Sequence, residues 1–469
     1  MRIRGSLWYT MALFLSSGAP ACAVTSDLPP VLEDSSGREQ SLDELARLAV
    51  ADDDAAAQAA RERLRAAGPA GLAAFEAAHE EALTAAYEAI LAAADAPPRR
   101  RDPAGLADPT RARLLGALDE VCGQRDCLLS RLYWHTDLDE AVRTARREGK
   151  PVLSLRLLGD LRDELSCANS RLFRAVLYPD PAVRALLRDR FVLHWASERP
   201  APKITVDLGD GRQIVTTITG NSAHFVLDAG GRPVDVVPGL YAPADFVAAL
   251  QRAEALARST AALDGQALRD ALADHHEARV RDLDAASVLL ASYAGEPAGP
   301  LRRVRAPRLA ARAPRAGEAA PLAASKMAVE APLRGVTGEP VDRVEQRWEL
   351  MADVTAPKID LSRASLGLVR TQQWRSGDAT RDAADRAEAI VELRRTLALD
   401  TLRNEQEIHR EIHGWWARGA TAPGDLQTIV RRVYDELFLT PARDPWLGLA
   451  DPTRYGGLVG GGRRTQAHL

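Results

Sequence analysis

The four cysteines of this 469-residue chain carry its most readily reactive side chains. A cysteine thiolate is a nucleophile that attacks disulfides and is readily oxidised. Cys167 is followed by Ala168, Asn169 and Ser170, so this stretch offers one thiol with a neighbouring amide and hydroxyl and no second thiol. Two interpretations remain open. Cys167 is either a monothiol centre supported by Asn169 and Ser170, or a small buried residue without a reaction.

A second pair of thiols, Cys122 and Cys127, is separated by Gly-Gln-Arg-Asp. Residues five apart do not face each other on a continuous helix, so a bridge between them requires a turn at Gly123. In an oxidising compartment the pair predicts a local disulfide, and the alternative is two reduced thiols in a core. Zinc binding by this pair alone is not expected, because a structural zinc ion needs four ligands and no second Cys/His pair lies nearby in the sequence.

Three further candidate ligands, Glu405, His409 and His413, recur every four residues and so share one face of a helix. Imidazole and carboxylate groups in this arrangement can chelate a metal ion or hydrogen-bond a ligand. The sequence is not the His-Glu-x-x-His protease motif, because Arg410 occupies the place of the glutamate.

The same histidines have an alternative explanation. Trp415 and Trp416 follow directly, and histidines beside tryptophans often belong to a polar network beneath a packed helix. His275 and His276, on a charged helix, are expected at the solvated surface.

Other chemistry is not indicated. No Ser-His-Asp elbow, glycine-rich phosphate loop, haem-attachment motif or pair of catalytic carboxylates is recognisable, and we expect no cofactor. Hydrophobic residues at 46% and charged residues at 27% are typical of a globular protein. A net charge of −4 provides no electrostatic footprint for nucleic acid, so no nucleic-acid partner is expected.

The middle of the chain alternates between strand and helix patterns, which indicates an α/β domain. Mainly helical patterns flank it on both sides, and Gly68 to Gly71 interrupts the first of them. The predicted strands are Val152–Leu158, Phe191–Trp195 and Phe225–Leu227, with a hairpin over Ile204–Ile218 around Gly209-Asp210-Gly211. The predicted helices are Ser41–Ala94 in two halves, Pro109–Leu129, Arg171–Leu177, Pro181–Arg188, Ala379–Arg418 and Asp425–Phe438, and Glu296–Ala324 is predicted to be a linker.

The region from Leu132 to Ser259 resembles exported thioredoxin-like proteins in the order and spacing of several short motifs. A Trp-x-x-Asp helix precedes a Lys-Pro-Val-Leu strand, a cysteine motif and helix follow, and then come an Asp-Pro-x-Val turn and a strand beginning Phe-Val. The residues that carry this resemblance are Trp134, Asp137, Lys150-Pro151-Val152-Leu153, Cys167, Asp180-Pro181-Ala182-Val183, Phe191-Val192 and Asn221 to Gly231.

The resemblance implies that Cys167 lies at the first turn of a helix, where free backbone N–H groups and the helix dipole stabilise a thiolate. The chain departs from the family pattern at two places. Ser170 replaces the second cysteine, which excludes dithiol chemistry, and Ser222 stands near the position of the family's cis-proline. A thiol from solution or from a partner would therefore have to release anything bound to Cys167.

The N-terminus has the parts of a secretory signal peptide. Arg2 and Arg4 precede a short apolar run, Leu7 to Leu15, and a small-x-small cleavage site follows. The run is too short to span a membrane. Cys22 could carry a lipid anchor, although Ala19 stands where a lipoprotein site prefers leucine. We expect export to the periplasm or cell envelope and, if a partner exists, a protein partner there.

The predicted fold class is an α/β thioredoxin-like central domain flanked by N-terminal and C-terminal mainly α-helical regions. The predicted division is a signal peptide over 1–23, a helical domain over 30–118, the thioredoxin-like domain over 119–259, a helix and Pro/Ala/Arg-rich linker over 260–325, and a helical C-terminal domain over 326–469.

The first functional hypothesis is a binding or scaffolding protein with a degenerate Cys-x-x-Ser site. A monothiol thiol–disulfide oxidoreductase or isomerase using Cys167 is the second, and a metal-binding protein using His409 and His413 is the third.

Overall fold

Strand β1, Val152–Leu158, is one of the two inner strands of a four-stranded mixed sheet, and all seven of its residues are buried. It pairs in parallel with β2, Val192–Arg199, and antiparallel with β5, Ala223–Leu227. Strand β5 pairs antiparallel with β6, Pro233–Pro238, and the strand order is β2-β1-β5-β6. A strand that is buried on both faces along its whole length is typical of a sheet covered by helices on each side. The protein therefore has a mixed α/β fold.

The computed structural model describes residues 40–95, 105, 107–217, 221–293, 343–375, 383–419, 425–438 and 440. Contacts divide the chain into two units, Met1–Gln40 and Ser41–Leu469, and the described helices and strands all belong to the second. No helix among the described residues is both long enough and apolar enough to cross a membrane.

A separate two-stranded antiparallel sheet is inserted between β2 and β5. Its strands are β3, Lys203–Asp207, and β4, Gln213–Thr217. The turn contains Gly209 and Gly211, and both have positive φ, the region that glycine occupies at little cost.

Helices alternate with the strands of the larger sheet. Helix α7, Ala168–Leu172, is short and continues directly into a π-helical segment, Phe173–Leu177. Asp180 then caps α8, Pro181–Arg190, by accepting hydrogen bonds from the backbone N–H groups of Ala182 and Val183. The helices of this part are α6, Leu138–Glu148, α7, Ala168–Leu172, α8, Pro181–Arg190, and α9, Pro243–Ser259.

Among the described residues, five α-helices precede α6 and the sheet. Ser41 and Glu44 form a reciprocal capping box at the start of α1, and Asp53 and Asp108 cap α2 and α5. The five are α1, Leu42–Leu48, α2, Asp54–Ala66, α3, Pro69–Ala78, α4, Glu80–Ala93, and α5, Pro109–Cys122.

Six described helices follow α9. Two further π-helical segments occur here: Asn404–His409 lies between the helices Ala383–Arg403 and Arg410–Ala417, and Val433–Leu437 continues the helix Leu426–Arg432. The helices are α10, Gly265–Tyr293, α11, Arg343–Thr355, α12, Arg363–Arg375, α13, Ala383–Arg403, α14, Arg410–Ala417, and α15, Leu426–Arg432.

The two largest hydrophobic cores both combine segments that are far apart in the sequence. The sheet core extends from β1 and its neighbours to Trp415 on α14 and Val433 after α15. The N-terminal core of α1 to α5 includes Ala364 and Leu368 of α12. Helix α12 thus completes the N-terminal core from a position about 270 residues farther along the chain.

The predicted strands and the β3–β4 hairpin are confirmed, as is the helix break at Gly68 to Gly71. The predicted helix over Ala379–Arg418 is present with a π-helical segment inside it. The predicted signal peptide, Cys22 and the linker over Glu296–Ala324 lie outside the described residues. The five-part division of the chain stays a prediction.

Candidate functional site

Cys167 follows β1 and its loop and lies at the N-terminus of α7, where its backbone N–H donates to the carbonyl of Leu158 at 3.1 Å. The side chain is fully buried. Its sulfur lies 2.8 Å from the Ser222 hydroxyl, at the start of β5, and 3.5 Å from the Ser170 hydroxyl. The thiol is therefore enclosed and hydrogen-bonded by side chains of the protein.

The polar groups behind Cys167 are also engaged with one another. The Ser170 hydroxyl lies 2.7 Å from the Ser166 hydroxyl and 2.8 Å from the Cys167 carbonyl oxygen. The Arg174 guanidinium donates to the Ser166 hydroxyl at 3.2 Å, and its burial lowers the pKa of Arg174. Asn169 is buried, and its amide nitrogen has no hydrogen-bond partner among the described residues. The predicted trio Cys167, Asn169 and Ser170 is thus brought together beneath the surface.

The C-terminal end of the described chain packs against the segment that covers Cys167. The Asn221 amide donates to the Phe438 carbonyl oxygen at 3.2 Å and to the Thr440 hydroxyl at 3.1 Å. The Tyr434 hydroxyl donates to the Asn221 carbonyl oxygen at 3.3 Å. These bonds hold the residue before Ser222 against the segment that follows α15.

A second buried polar cluster joins β6, α10 and the π-helical segment before α14. His409 lies between two carboxylates, with Nε2 3.1 Å from Asp235 Oδ1 and Nδ1 3.0 Å from Glu405 Oε2. Arg252 and Arg279 both donate to the other Glu405 oxygen at 3.2 Å. Both ring nitrogens of His409 are therefore occupied, which suits a structural ion network better than a general base.

The electrostatics of this network follow from burial and close charges. Burial disfavours the charged form of His409, but attraction to Asp235 and Glu405 outweighs it and raises the pKa of His409 to about 9. Burial would raise the pKa of Glu405, yet the imidazolium of His409 and the two arginines lower it to about 2. Charged His409 between two carboxylates is thus the form that the protein holds at neutral pH.

Beside this network, Asp235 also belongs to a group with His276 and His413. His413 Nδ1 lies 2.7 Å from His276 Nδ1 and 3.9 Å from Asp235 Oδ1. Single ligand atoms of the three side chains all lie within 4.8 Å of one another, and all three residues are buried. Burial lowers the pKa of His276 to about 4 and lowers that of His413 as well, so both rings are neutral at neutral pH. One carboxylate and two neutral imidazoles form a donor set that can hold a metal ion.

The structure therefore divides the predicted trio of Glu405, His409 and His413 between two arrangements. Glu405 and His409 belong to the ion network, whereas His413 faces His276 and Asp235. The expectation that His276 is a surface residue is wrong, because its side chain is fully buried and stacks on the Trp416 ring at 4.7 Å.

Asp235 was not identified from the sequence. The signal was present, because Asp235 interrupts an otherwise apolar stretch from Pro233 to Pro238, and a single acid in a buried strand needs a partner. The partners come from helices 40 or more residues away in the sequence, which no local pattern indicates.

Cys122 and Cys127 are joined by a disulfide, with their Cα atoms 6.4 Å apart. Helix α5 ends at Cys122, and Gly123 follows in the left-handed conformation with φ 74°, which is the turn that the bridge requires. The Asp119 carboxylate accepts hydrogen bonds from the backbone N–H groups of Asp126 and Cys127 at 3.1 and 2.8 Å. The pair thus has a local structural role.

Comparison with protein-family models, with curated proteins and with solved structures finds no match to this chain.

Proposed function

We propose that the chain is an extracytoplasmic binding or scaffolding protein built around a thioredoxin-like unit with a degenerate Cys-x-x-Ser site. The order of elements supports the thioredoxin-like assignment: β1, Cys167 at the start of a helix, an Asp-Pro turn into α8, and the parallel strand β2 follow one another as in the family that the sequence resembles. The signal-peptide pattern and the Cys122–Cys127 disulfide support the extracytoplasmic assignment.

The observation that carries the proposal is the enclosure of the Cys167 sulfur. Thiol–disulfide exchange requires the attacking sulfur to approach a disulfide in a partner, and this depends on access. Cys167 is fully buried, and its sulfur contacts Ser222 at 2.8 Å. In this arrangement the thiol packs and hydrogen-bonds within the fold, as a small buried residue does.

The neighbouring hydroxyl also supports a structural role. A monothiol enzyme would use Ser170 to stabilise the Cys167 thiolate, but the Ser170 hydroxyl lies closer to Ser166 and to the Cys167 carbonyl oxygen than to the sulfur. Tyr434, Phe438 and Thr440 all hydrogen-bond to Asn221, the residue before Ser222. Binding surfaces elsewhere on the protein, rather than this cysteine, would then carry its interactions.

The test is the alkylation rate of Cys167 in the native protein, read at the peptide level by mass spectrometry with the Cys122–Cys127 bridge intact. Ser197 is exposed on β2, so a Ser197→Cys variant supplies an accessible thiol in the same protein as a matched control. At pH 9, where an ordinary exposed thiol is mostly ionised, we expect native Cys167 to react at least about 100-fold more slowly than the control thiol. After unfolding in guanidinium, the two rates should become similar.

A native rate within tenfold of the control at neutral pH would overturn the proposal. If envelope extract then also yielded a discrete mixed disulfide that Cys167→Ser abolishes, monothiol exchange would be the function, because no second cysteine follows to resolve it.

A further inference from the structure

We propose that Asp235, His276 and His413 bind one divalent cation, Zn²⁺ or a chemically similar first-row metal ion. The ion connects strand β6 to helices α10 and α14. The ligand atoms are a carboxylate oxygen of Asp235 and the Nδ1 atoms of the two imidazoles. This assignment is independent of Cys167 and of the binding or scaffolding role proposed above.

The separations are close to those of a metal site. With bonds of about 2.0–2.1 Å, ligand atoms around tetrahedral zinc lie about 3.3 Å apart. The His413 Nδ1 atom is 2.7 Å from His276 Nδ1 and 3.9 Å from Asp235 Oδ1. These two distances need to change by about 0.6 Å, and the third pair, Asp235 with His276, lies within 4.8 Å, so rotations of the side chains would complete the site.

Hydrogen bonding orients the His276 ring for binding. Its Nε2 atom lies 2.9 Å from the Val234 carbonyl oxygen, which can only accept, so Nε2 carries the proton and donates it. Nδ1 of His276 then presents its lone pair towards His413. A backbone carbonyl that fixes the tautomer of a ligating histidine is the common arrangement around protein-bound metals.

His413 can present the same atom once its proton moves from Nδ1 to Nε2. Its Nε2 has no hydrogen-bond partner among the described residues, although the ring is almost completely buried. In the metal-free protein the His276 Nδ1 lone pair accepts the proton of His413 Nδ1 across 2.7 Å, and no second protein group fixes the His413 tautomer. When that proton is on Nε2, two Nδ1 lone pairs and the Asp235 carboxylate converge, and a cation between them replaces the shared proton of an imidazole pair.

The donor set favours one class of ion. Calcium and magnesium prefer oxygen ligands throughout, and copper(I) prefers sulfur, whereas two imidazoles and one carboxylate suit Zn²⁺ and its first-row neighbours. Three protein ligands leave a fourth position for water. Because all three side chains are buried, the ion would enter while the chain folds and would exchange slowly afterwards.

The experiment uses the tag-free full-length protein, unfolded in guanidinium with a chelator and refolded with equimolar Zn²⁺, equimolar Co²⁺ or no metal. After desalting, we expect about one zinc ion per chain by elemental mass spectrometry, and visible Co²⁺ absorption bands of low-coordinate geometry. The zinc-refolded protein should also melt at a higher temperature than the metal-free protein, because an ion bound only to the folded state stabilises that state.

Two variants and a matched control locate the ion. His276→Gln and His413→Gln should each retain less than a tenth of the zinc and lose the melting-temperature difference. His275→Gln, at the neighbouring half-exposed position, should bind like the wild type. Wild-type protein that retains no ion after refolding overturns the proposal even if a variant fails to fold, and so does full zinc content in a folded His276→Gln protein.

Discussion

At the residue scale, Asp119 should make the stability of the protein depend on pH. Its carboxylate accepts two backbone hydrogen bonds beside the Cys122–Cys127 disulfide. Burial of Asp119, with Asp126 acting in the same direction, raises the pKa of Asp119 to about 7. An aspartate in an unfolded chain has a pKa of about 3.9, so the folded state binds the proton more tightly. The stability contributed by protonated Asp119 is then fully present below about pH 4 and is lost as the pH rises through 7.

We therefore predict that the free energy of unfolding falls, relative to Asp119→Asn, as the pH rises from 4.5 to 6.5. The slope for one proton is at most about 1.4 kcal/mol per pH unit. Urea titrations of both oxidised proteins at four pH values measure it. Parallel pH profiles for the wild type and the asparagine variant would show that Asp119 is not the titrating group.

Also at the residue scale, the sequence indicated which atoms could react but not what surrounds them. The family resemblance implied that Cys167 lies at the start of a helix after a buried strand, which is its observed position. Its sulfur contacts Ser222, whose neighbour Asn221 is bonded to Thr440, and His276 stacks on Trp416 of α14. Because these contacts join distant segments, neither the local hydrophobic period nor the local charge could predict them.

At the element scale, two helices approach closely where the sequence has a glycine. A Cβ atom added at Gly71 on α3 would lie 1.9 Å from the backbone carbonyl oxygen of Leu64 on α2. The backbones would have to separate to make room. In contrast, nothing lies within 4 Å of a Cβ added at Gly116, which is exposed on α5.

We predict that Gly71→Ala lowers the free energy of unfolding by about 2 kcal/mol or more, because the added methyl group clashes with backbone. Gly116→Ala should raise it by about 0.5–1 kcal/mol, because alanine is the better helix former. Thermal and urea unfolding of the two variants compare them directly. Equal effects would mean that α2 and α3 are not in this close contact.

The elements themselves were largely predictable, since apolar spacing indicates helices and strands without knowledge of their partners. The π-helical segment Asn404–His409 was not predictable. It lies within a continuous helical pattern, and no residue type in the sequence indicates that one helical turn contains an extra residue. It is nevertheless part of the histidine cluster, because it carries Glu405 and His409.

At the scale of the whole molecule, α12 packs against both large hydrophobic cores. Ala364 and Leu368 pack into the N-terminal core, whereas Leu366 and Val369 pack against the sheet core. The Ser365 hydroxyl donates to the Val176 carbonyl oxygen at 2.8 Å. Helix α12 therefore links the N-terminal helices to the sheet, a role that its own amphipathic pattern did not reveal.

We predict that a fragment of residues 40–293 does not unfold cooperatively on its own, because both cores lack the side chains that α12 and the later helices supply. Co-expression with a fragment of residues 343–469 should restore a complex that co-elutes on size-exclusion chromatography and melts cooperatively. The interpretation would be overturned by a lone 40–293 fragment that is monomeric and melts at the temperature of the whole chain.

The long separation between Ala94 and α12 also has a consequence for how the chain is made. At about 5–20 residues per second, a ribosome needs roughly 15–50 s to synthesise the residues between these two segments. Throughout that time Ile90, whose carbonyl oxygen would lie 2.3 Å from a Cβ added at Gly367, lacks the helix that covers it in the finished protein. The newly made N-terminal helices therefore present an incomplete apolar surface for tens of seconds, and a holding chaperone that binds apolar surface has this interval in which to capture the nascent chain.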